Sequence, residues 1–356
     1  MELQLAGARS YATYSRDTGK LLSFKRGDWI PVETDLDWEW LTSGSGMVFN
    51  ERPNLGPRLI GSSVSEQFDR DPAQRLLVCR GRGLGDVLLL IPALREWKRR
   101  YPESTVAVTV DRGYRHFFYG SQWVDQALDY RQAYESSPWD VVVNLNYYVE
   151  MSPQDEVLHR SVIFGQGLGL DDVGDLHLEY VVDDDDAAVA RQLRSDRLGP
   201  IVVVQTHAST PTRAPSATKM YRLLRALQAA HCCVVALGSE VIPVPPGVVD
   251  LQGRCSLAVA AAVMQQADCV VGLDSGLTHI ANALDCPIVA LFGPGDPQLR
   301  VAGHPQCTAL KLYEYGKCDG PCFDRRQKMC QYEPLCLQRY PEELVVDAVR
   351  EKLCRQ

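Results

Sequence analysis

The chain has 356 residues, of which 46% are hydrophobic and 23% charged, and its formal net charge is −8. This length allows two ordinary domains and an additional segment, and the composition is that of a soluble globular protein. The acidic balance argues against nucleic acid as the main partner, because that contact normally needs a basic face. The N-terminal sequence has no apolar core of signal-peptide length, and no apolar run is long enough to span a membrane. We therefore predict a cytoplasmic protein without a transmembrane segment, whose 12 cysteines are mostly reduced thiols.

Residues 1–72 alternate short mixed runs with turn signals such as Asp17, Thr18 and Gly19. This pattern predicts a small β-rich N-terminal appendage. The pattern does not identify a function; docking or assembly into a homo-oligomer is our interpretation of such a module.

The first α/β unit is predicted over residues 73–195. A short buried strand opens at Arg75 and leads through a glycine-rich turn at 81–85 into an amphipathic helix. Strand-like runs at 105–110 and 140–146 follow, separated by helical stretches. This alternation predicts a parallel sheet with helices on both faces.

The glycine-rich turn resembles a dinucleotide-binding fingerprint, but its sixth position is Asp86 instead of glycine. A carboxylate there would repel a pyrophosphate. We favour a turn in which Gly83 and Gly85 let the backbone pass close to a ligand while Asp86 points into a cleft. The alternative is that Asp86 only caps its own helix. A nicotinamide-dependent oxidoreductase stays as a competing class.

A second α/β unit is predicted over residues 196–312. The acidic run at 183–186 before it indicates a solvated loop or a helix start in a linker region. Its most informative stretch, 269–297, predicts a buried strand, a tight turn, a helix and a second buried strand. The start of that helix offers unpaired backbone N–H groups and the positive end of the helix dipole to a phosphate. The alternative is an ordinary βαβ unit that Asp274 caps.

Two stretches resemble a known family. DSGLTHIANALDCPIVALFGPGDP is similar to the D-[ST]-G-x-x-H…P-x-[IV]-x-[IL]-F-G-x-x-x-P stretch of the heptosyltransferases, glycosyltransferase family nine, and GLGDVLLLIPALREWKRRYP resembles their N-terminal signature. The resemblance covers about residues 75–353. It implies an enzyme with the GT-B fold, two Rossmann-like domains facing a cleft, which transfers a sugar from a nucleotide diphosphate donor with inversion and without a catalytic metal.

The same resemblance implies roles for single residues. Asp86 matches the aspartate that would be the general base, which takes the proton of the acceptor hydroxyl. Lys219 matches a lysine that would neutralise the departing diphosphate, although Tyr221 stands where tryptophan is usual. A solvated lysine at a helix start is the alternative, and Arg213 is a rival for the role.

Further residues match the donor site. Glu240 resembles an acid near the donor ribose. Backbone amides at Gly276 and Leu277 would hold the diphosphate, and the hydroxyls of Ser275 and Thr278 would add donors. The matching donor-phosphate loop comprises Asp274, Ser275, Gly276, Leu277 and His279. For His279 the alternative is a packed, hydrogen-bonded helix histidine.

Four cysteines follow the second unit with the spacing C-x3-C-x7-C-x5-C: Cys318, Cys322, Cys330 and Cys336. Four thiols so close together predict a structural metal finger over residues 313–340, followed by a C-terminal helix at 341–356. Spacing alone favours zinc, whereas the resemblance to bacterial protein (autotransporter) heptosyltransferases implies iron. Unrelated free thiols or oxidised pairs are the alternatives.

The sequence thus predicts an inverting glycosyltransferase that moves a heptose from ADP-heptose to a hydroxyl, with Ser or Thr of a protein as acceptor. A lipopolysaccharide-core sugar is the second candidate acceptor, and a modified base of phage DNA the third. A non-catalytic nucleotide-binding or scaffold protein is the alternative from another class.

Overall fold

The computed structural model describes residues 57–136, 138–146, 148–195, 199–316, 318, 320–322 and 335–354, together with four short strands near the N-terminus. Those strands form two antiparallel pairs, β1 (Glu2–Gln4) with β4 (Trp29–Pro31) and β2 (Ser10–Tyr14) with β3 (Leu21–Lys25). They fit the β-rich pattern predicted for this segment.

Residues 57–72, which the sequence placed in the appendage, belong to the first α/β unit instead. Arg58 forms a parallel bridge with Val142 at the edge of the first sheet. The helix that follows buries Phe68 completely, and its ring packs edge-on against that of Trp97 with centroids 4.8 Å apart. Its apolar face therefore completes the core of that unit.

The first sheet has four parallel strands in the order β7-β6-β5-β8. Its strands are β5 (Arg75–Cys79), β6 (Thr105–Thr109), β7 (Gln126–Leu128) and β8 (Val141–Asn144). The helices of this unit are Ser62–Arg70, Leu84–Leu89, Ile91–Arg100, Tyr130–Glu135 and Arg160–Gly167, with a 3₁₀ segment at Arg112–Phe118. Continuous runs of valine and leucine fit its central strands, because helices cover both faces of such a sheet.

The single amphipathic helix predicted after the glycine-rich turn is divided at Leu90. Pro92 occupies the first turn of the second segment, where its missing N–H leaves no hydrogen bond unmade. The backbone continues through Leu90 in a helical conformation, so the apolar face stays continuous and Trp97 reaches the core.

The second sheet has six parallel strands in the order β11-β10-β9-β12-β13-β14. Its strands are β9 (Ile201–Gln205), β10 (Cys233–Leu237), β11 (Val249–Asp250), β12 (Cys269–Leu273), β13 (Ile288–Phe292) and β14 (Cys307–Lys311). The helices around it are Asp184–Ser195, Ala217–Ala229, Leu257–Gln265, Gly276–Ala283, Leu335–Arg339 and Glu342–Cys354, with 3₁₀ segments at Pro211–Arg213, Pro297–Leu299 and Leu312–Tyr315. The predicted architecture of two parallel α/β units is therefore confirmed.

The boundary between the units lies earlier than residue 195. Helix Asp184–Ser195 packs on helix Leu257–Gln265 of the second unit, and Arg194 forms an ion pair with Asp268 at 2.6 Å. The acidic run, predicted as a solvated loop or a helix start, forms the first turn of this helix, where the helix dipole favours negative charge. Within the described part of the chain, no helix has both the length and the apolarity needed to cross a membrane.

Candidate active site

The helix that follows β5 and the helix that follows β12 begin beside each other. A Cβ atom added to Gly276 would lie 2.6 Å from the side chain of Leu84, and one added to Gly85 would lie 2.8 Å from Cδ2 of His279. Because neither glycine has a side chain, the starts of the two helices touch. This contact joins the carboxyl-terminal edges of the two sheets, where ligands bind in open α/β folds.

A cleft of about 690 Å³ opens beside this contact and is lined by both units, which is a size typical of small-molecule sites. The first unit contributes Gly83, Leu84, Gly85, Asp86 and Arg160, among others. The second unit contributes Gln205, His207, Arg213, Asp274, Ser275, Gly276, Leu277, His279 and Arg300, among others. The structure thus brings the glycine-rich turn, Asp86 and most of the predicted donor-phosphate loop together at one cleft.

Gly83 shapes the turn that presents Asp86. Its φ of 83° lies in the left-handed region, which favours glycine, and a Cβ atom there would lie 2.7 Å from Oδ2 of Asp86. Gly83 is itself the N-cap residue, and no side chain caps this helix start. The carboxylate of Asp86 pairs with arginines instead. Asp86 therefore does not cap its own helix, which was the alternative considered for it.

Two arginines hold the buried carboxylate of Asp86. Oδ2 accepts a hydrogen bond from Arg80 at 2.6 Å, and Oδ1 accepts one from Arg160 at 2.7 Å. Burial raises the pKa of Asp86, but the charges of Arg160 and Arg80 outweigh this effect and lower the pKa to about 2. Asp86 is therefore ionised at neutral pH.

Each arginine is in turn bound by a second carboxylate. Arg80 donates to Glu150 at 2.7 Å, and Arg160 donates to both oxygens of Asp155 at 2.9 and 3.0 Å. Asp155 also lies 3.4 Å from Arg300, which comes from the second unit. Carboxylates and guanidinium groups thus alternate along a chain of contacts that runs from the first unit to Arg300 of the second. Each buried charge has a partner of opposite sign, which offsets the cost of its burial.

The donor-phosphate loop is fixed from the neighbouring strand. Gln205, at the end of β9, accepts from the backbone N–H of Leu273 at 3.1 Å and donates to the hydroxyl of Ser275. Thr278 is turned away from the cleft, because its buried hydroxyl donates to the carbonyl of Leu273. The first-turn amides, including those of Gly276 and Leu277, start a helix whose dipole favours an anion.

Asp274 and Arg213 lie on the second-unit side of the cleft. Nε of Arg213 is 3.9 Å from Oδ2 of the buried Asp274. This places a guanidinium beside the start of the helix that Gly276 begins. Arg213, the rival to Lys219 in the sequence, therefore does line the cleft.

One buried histidine from each unit lies beside this charged network, His159 from the first unit and His279 from the second. Burial lowers the pKa of His279 to about 4, although the nearby Asp86 raises it, and burial likewise lowers the pKa of His159 to about 4. Both rings are therefore neutral near pH 7. Nδ1 of His279 has no hydrogen-bond partner, so this ring is packed against Gly85 without being fixed by a bond at Nδ1.

Lys219 is not brought to the cleft, contrary to the role expected of it. Its ammonium is buried, donates to the carbonyl of Tyr340, lies 4.1 Å from the Tyr340 ring centroid and pairs with Glu342 at 3.1 Å. The helix Ala217–Ala229 turns this residue towards the C-terminal segment. Lys219 therefore joins two parts of the second unit.

Glu240 lies at the rim rather than among the residues that line the cleft. Its carboxylate is 3.2 Å from Nε2 of His207, which does line the cleft, and its side chain is 68% exposed. A contact with a donor ribose stays a prediction.

The predicted metal finger lies mostly outside the described residues. Cys330 and its neighbours from 323 to 334 are outside, whereas Cys318, Cys322 and Cys336 are described and partly buried. Within the described ranges no three His, Cys, Asp or Glu side chains converge in a way that could hold a metal. Sγ of Cys336 lies 3.2 Å from where a Cβ atom on Gly293 would be, so it packs against the loop after β13. The described cysteines therefore do not assemble the predicted site.

Sequence reasoning missed the arginines around Asp86. Arg80 directly precedes the glycine-rich turn, and Arg300 follows the family-like stretch that ends at Pro297, so both stand next to motifs that were recognised. Arg160 has no such signal, because it starts a helix that no sequence motif marks. Gln205 could have been suspected as the polar last residue of an otherwise apolar strand.

Comparisons with known proteins find similarity in the second half of the chain. Residues 179–333 match the sequence model of glycosyltransferase family 9 (heptosyltransferase). A stretch of 81 residues is 38% identical to lipopolysaccharide heptosyltransferase 1 of Pseudomonas aeruginosa, covering 23% of this chain and 21% of that protein. The chain thus matches about a fifth of the length of this curated relative.

Two solved structures resemble the whole fold. A family 9 glycosyltransferase from Veillonella parvula superposes with a TM-score of 0.62 at 17% identity, covering 80% of this chain and 98% of that one. The dodecameric iron-containing heptosyltransferase TibC, of enterotoxigenic E. coli, in complex with ADP-D-β-D-heptose superposes with a TM-score of 0.58 at 15% identity, covering 99% and 93%. At these identities the likeness shows the fold, and it confirms the predicted GT-B architecture. Residues 179–333 therefore match glycosyltransferase family 9 (heptosyltransferase) in sequence, and they lie in a chain whose fold is the GT-B fold of solved heptosyltransferase structures.

Proposed function

We propose that this chain is an inverting glycosyltransferase that transfers heptose from ADP-heptose to a hydroxyl group. The observation that carries the proposal is the position of Asp86, an ionised carboxylate that lines one side of a cleft whose other side is the loop of the family 9 domain. In this proposal the acceptor hydroxyl lies against Asp86 on one side of the cleft, and the donor diphosphate lies against the loop on the other side.

In the proposed reaction the acceptor oxygen attacks the anomeric carbon from the face opposite the diphosphate. The new carbon–oxygen bond forms as the bond to the diphosphate oxygen breaks, and the proton of the hydroxyl passes to Asp86. The charge that develops on the departing ADP is stabilised by the amides of Gly276 and Leu277 and by Arg213, which takes the role first expected of Lys219. Arginine and backbone N–H groups thus supply the positive field in this proposal, without a catalytic metal.

The low pKa of Asp86 suits a concerted step. A carboxylate with a pKa of about 2 removes no proton from a free alcohol, but the alcohol becomes strongly acidic as its oxygen bonds to the anomeric carbon. The ion pairs with Arg80 and Arg160 keep the base free of its own proton at any pH at which the enzyme works. In this proposal the proton therefore moves to Asp86 as the carbon–oxygen bond forms, and not before.

The test of the base is Asp86→Asn, assayed by release of ADP from ADP-heptose in the presence of acceptor. We expect transfer to fall by at least a thousandfold while ADP still raises the thermal stability of the variant, because ligand binding to the native state is unaffected. The variant should fold, since Arg80 keeps Glu150 and Arg160 keeps Asp155. The exposed Asp171→Asn is the matched control. Full activity in Asp86→Asn would exclude Asp86 as the base.

For the acceptor we propose Ser or Thr of a protein. The four-cysteine segment and the N-terminal extension support this choice, since both resemble the protein heptosyltransferases, and the superposition with TibC extends over 99% of the chain. The second candidate is a lipopolysaccharide-core sugar, which the name of the Pseudomonas relative favours. The acidic net charge disfavours phage DNA as the third.

The acceptor is tested with radiolabelled ADP-heptose and two substrates offered in parallel. One is a Ser/Thr-rich secreted polypeptide made without the enzyme, and the other is lipopolysaccharide from a heptose-deficient strain. Label in the polypeptide supports the proposal, and label in the lipopolysaccharide alone overturns it. ADP binding without transfer to either would favour the non-catalytic class, and NADH binding would favour the oxidoreductase class.

We also propose that the four-cysteine segment binds a structural iron, with zinc as the alternative. The support is the spacing of the cysteines and the iron content of TibC, since the described residues do not assemble the site. Metal analysis of the purified protein, with Cys330→Ser as control, tests it. A protein without bound metal would end this proposal. Sizing of the same sample tests for a homo-oligomer.

A further inference from the structure

The guanidinium of Arg160 lies between two carboxylates. Its Nε and one terminal nitrogen donate to the two oxygens of Asp155, at 2.9 and 3.0 Å, and the other terminal nitrogen donates to Oδ1 of Asp86 at 2.7 Å. The bidentate pair with Asp155 fixes the plane of the guanidinium. The third bond then has a set direction towards Asp86.

The two oxygens of Asp86 have different surroundings. Oδ2 is bound by Arg80, which is buried in the first unit with its guanidinium 5.6 Å from the ring centroid of Phe164. Oδ1 is bound by Arg160, which lines the cleft. Oδ1 is therefore the oxygen whose arginine partner lines the cleft, and Arg160 sets how that oxygen is held.

Charged and titratable groups face Asp86 from every element packed against it. Arg80 comes from the end of β5, Arg160 from the start of its helix, and Arg300 from the loop after Pro297–Leu299. His279 faces it from the helix after β12. Further out, Glu150 binds Arg80, Asp155 binds Arg160 and Arg300, and His159 lies beside His279. Of these groups, Arg160 is the cation that both lines the cleft and touches Asp86.

We propose that Arg160 is the positioning residue of the reaction: it holds Oδ1 of Asp86 towards the acceptor and keeps that carboxylate ionised, and Asp155 orients it for this purpose. This inference rests on the proposed function, in which Asp86 takes the proton. It assigns no contact between Arg160 and the sugar. Without Arg160, a buried carboxylate faces one fewer cation, so it binds a proton more readily.

The test is the pH profile of kcat/KM for Arg160→Gln, Asp155→Asn and Arg160→Lys, measured against the wild-type protein from pH 4.5 to 7.5. Dividing the kcat/KM of each variant by that of the wild-type protein at the same pH cancels the titrations that the variant and the wild type share. For Arg160→Gln we expect this ratio to fall at least threefold from pH 7.5 to pH 4.5, on top of a general loss of at least tenfold. Arg160→Lys, which keeps the charge, should restore a constant ratio.

Asp155→Asn should lower kcat/KM by a smaller factor than Arg160→Gln and with a constant ratio across the pH range, because it removes the bidentate partner that orients Arg160 but leaves the positive charge beside Asp86. The matched control is Arg99→Gln on the surface of the same unit, whose ratio should stay near one at every pH. A constant, uniformly reduced ratio in Arg160→Gln overturns the proposal, since a merely structural role lowers activity without moving the profile. If Arg160→Gln does not fold, Asp155→Asn decides, and a kcat/KM within twofold of wild type in that variant would overturn the proposal.

Asp86→Asn, assayed in parallel, separates this proposal from the one on which it rests. An inactive Asp86→Asn with an unchanged profile in Arg160→Gln refutes the positioning role alone. An active Asp86→Asn refutes the base, and the positioning role with it.

Discussion

Replacing Lys219 by methionine distinguishes the contact seen in the structure from the donor-binding role that the sequence indicated. The ammonium is 3% exposed, donates to the carbonyl of Tyr340 and lies 3.1 Å from Glu342. Methionine fills most of the volume but offers no hydrogen bond. The variant therefore leaves a buried carbonyl without its donor and a carboxylate with one fewer partner.

The expected loss of stability in Lys219→Met depends on which groups are left without a partner. An unsatisfied buried acceptor costs about 1–3 kcal/mol, and loss of one partner from a buried ion pair costs about 3–5 kcal/mol. Glu342 keeps Arg222 at 2.9 Å, so the second cost is reduced, and we expect the free energy of unfolding to fall by about 2–4 kcal/mol. For a unit of this size that lowers Tm by about 5–10 °C.

The assay compares Tm with kcat and the KM for ADP-heptose at 20 °C below the Tm of the variant. We expect a lower Tm with kcat and KM within about threefold of wild type, since Lys219 is away from the cleft. Lys352→Met, which also removes a lysine bond to a backbone carbonyl of this unit, is the matched control. A kcat reduced more than thirtyfold at unchanged Tm would refute the structural reading and return Lys219 to the donor site.

Three further predictions concern the contact between the units, the core and pH. Gly276→Ala should lower kcat at least tenfold, because its Cβ would lie 2.6 Å from the side chain of Leu84. The double variant with Leu84→Ala should regain part of this activity. An unchanged kcat in Gly276→Ala would contradict the packing. Phe68→Ala should cost about 3–5 kcal/mol in urea unfolding, since its buried ring packs on Trp97; a cost under 1 kcal/mol would place the helix outside the core. His279 has a pKa of about 4 in the folded protein, below its value in the unfolded chain. Between these two pKa values the unfolded chain binds more protons than the folded protein. The His279 contribution should therefore lower the free energy of unfolding by about 2 kcal/mol from pH 7 to pH 5. His279→Asn should show a correspondingly shallower fall in urea unfolding measured at the two pH values, and an identical fall would contradict the assignment.

The parts of the fold that were predictable depend on local pattern. β12, the turn after it and the helix from Gly276 were located from a run of apolar residues, a small-residue turn and a helical period, all adjacent in the chain. The same local logic located Asp86 at the edge of a cleft. The residues 57–72 were misplaced because helix Ser62–Arg70 carries a polar sequence in which only a few positions are buried.

The electrostatic setting of the site depends on contacts between distant parts of the chain. Arg160 is 74 positions from Asp86, and the carbonyl that Lys219 binds is 121 positions away. Neither arginine nor lysine is normally buried, so composition and spacing assign both to the surface. The sequence therefore predicts Asp86 at the cleft but not its arginine partners, and it predicts a ligand contact for Lys219, which in the structure holds the C-terminal segment.

The contact between Gly276 and Leu84 has a consequence for the width of the cleft. A Cβ atom on Gly276 would lie 2.6 Å from the side chain of Leu84, so the two helix starts come this close only because Gly276 has no side chain. The contact therefore sets how far Asp86 stands from the first-turn amides of the helix Gly276–Ala283. In the proposed reaction, this is the distance across which an acceptor hydroxyl and a donor diphosphate have to meet.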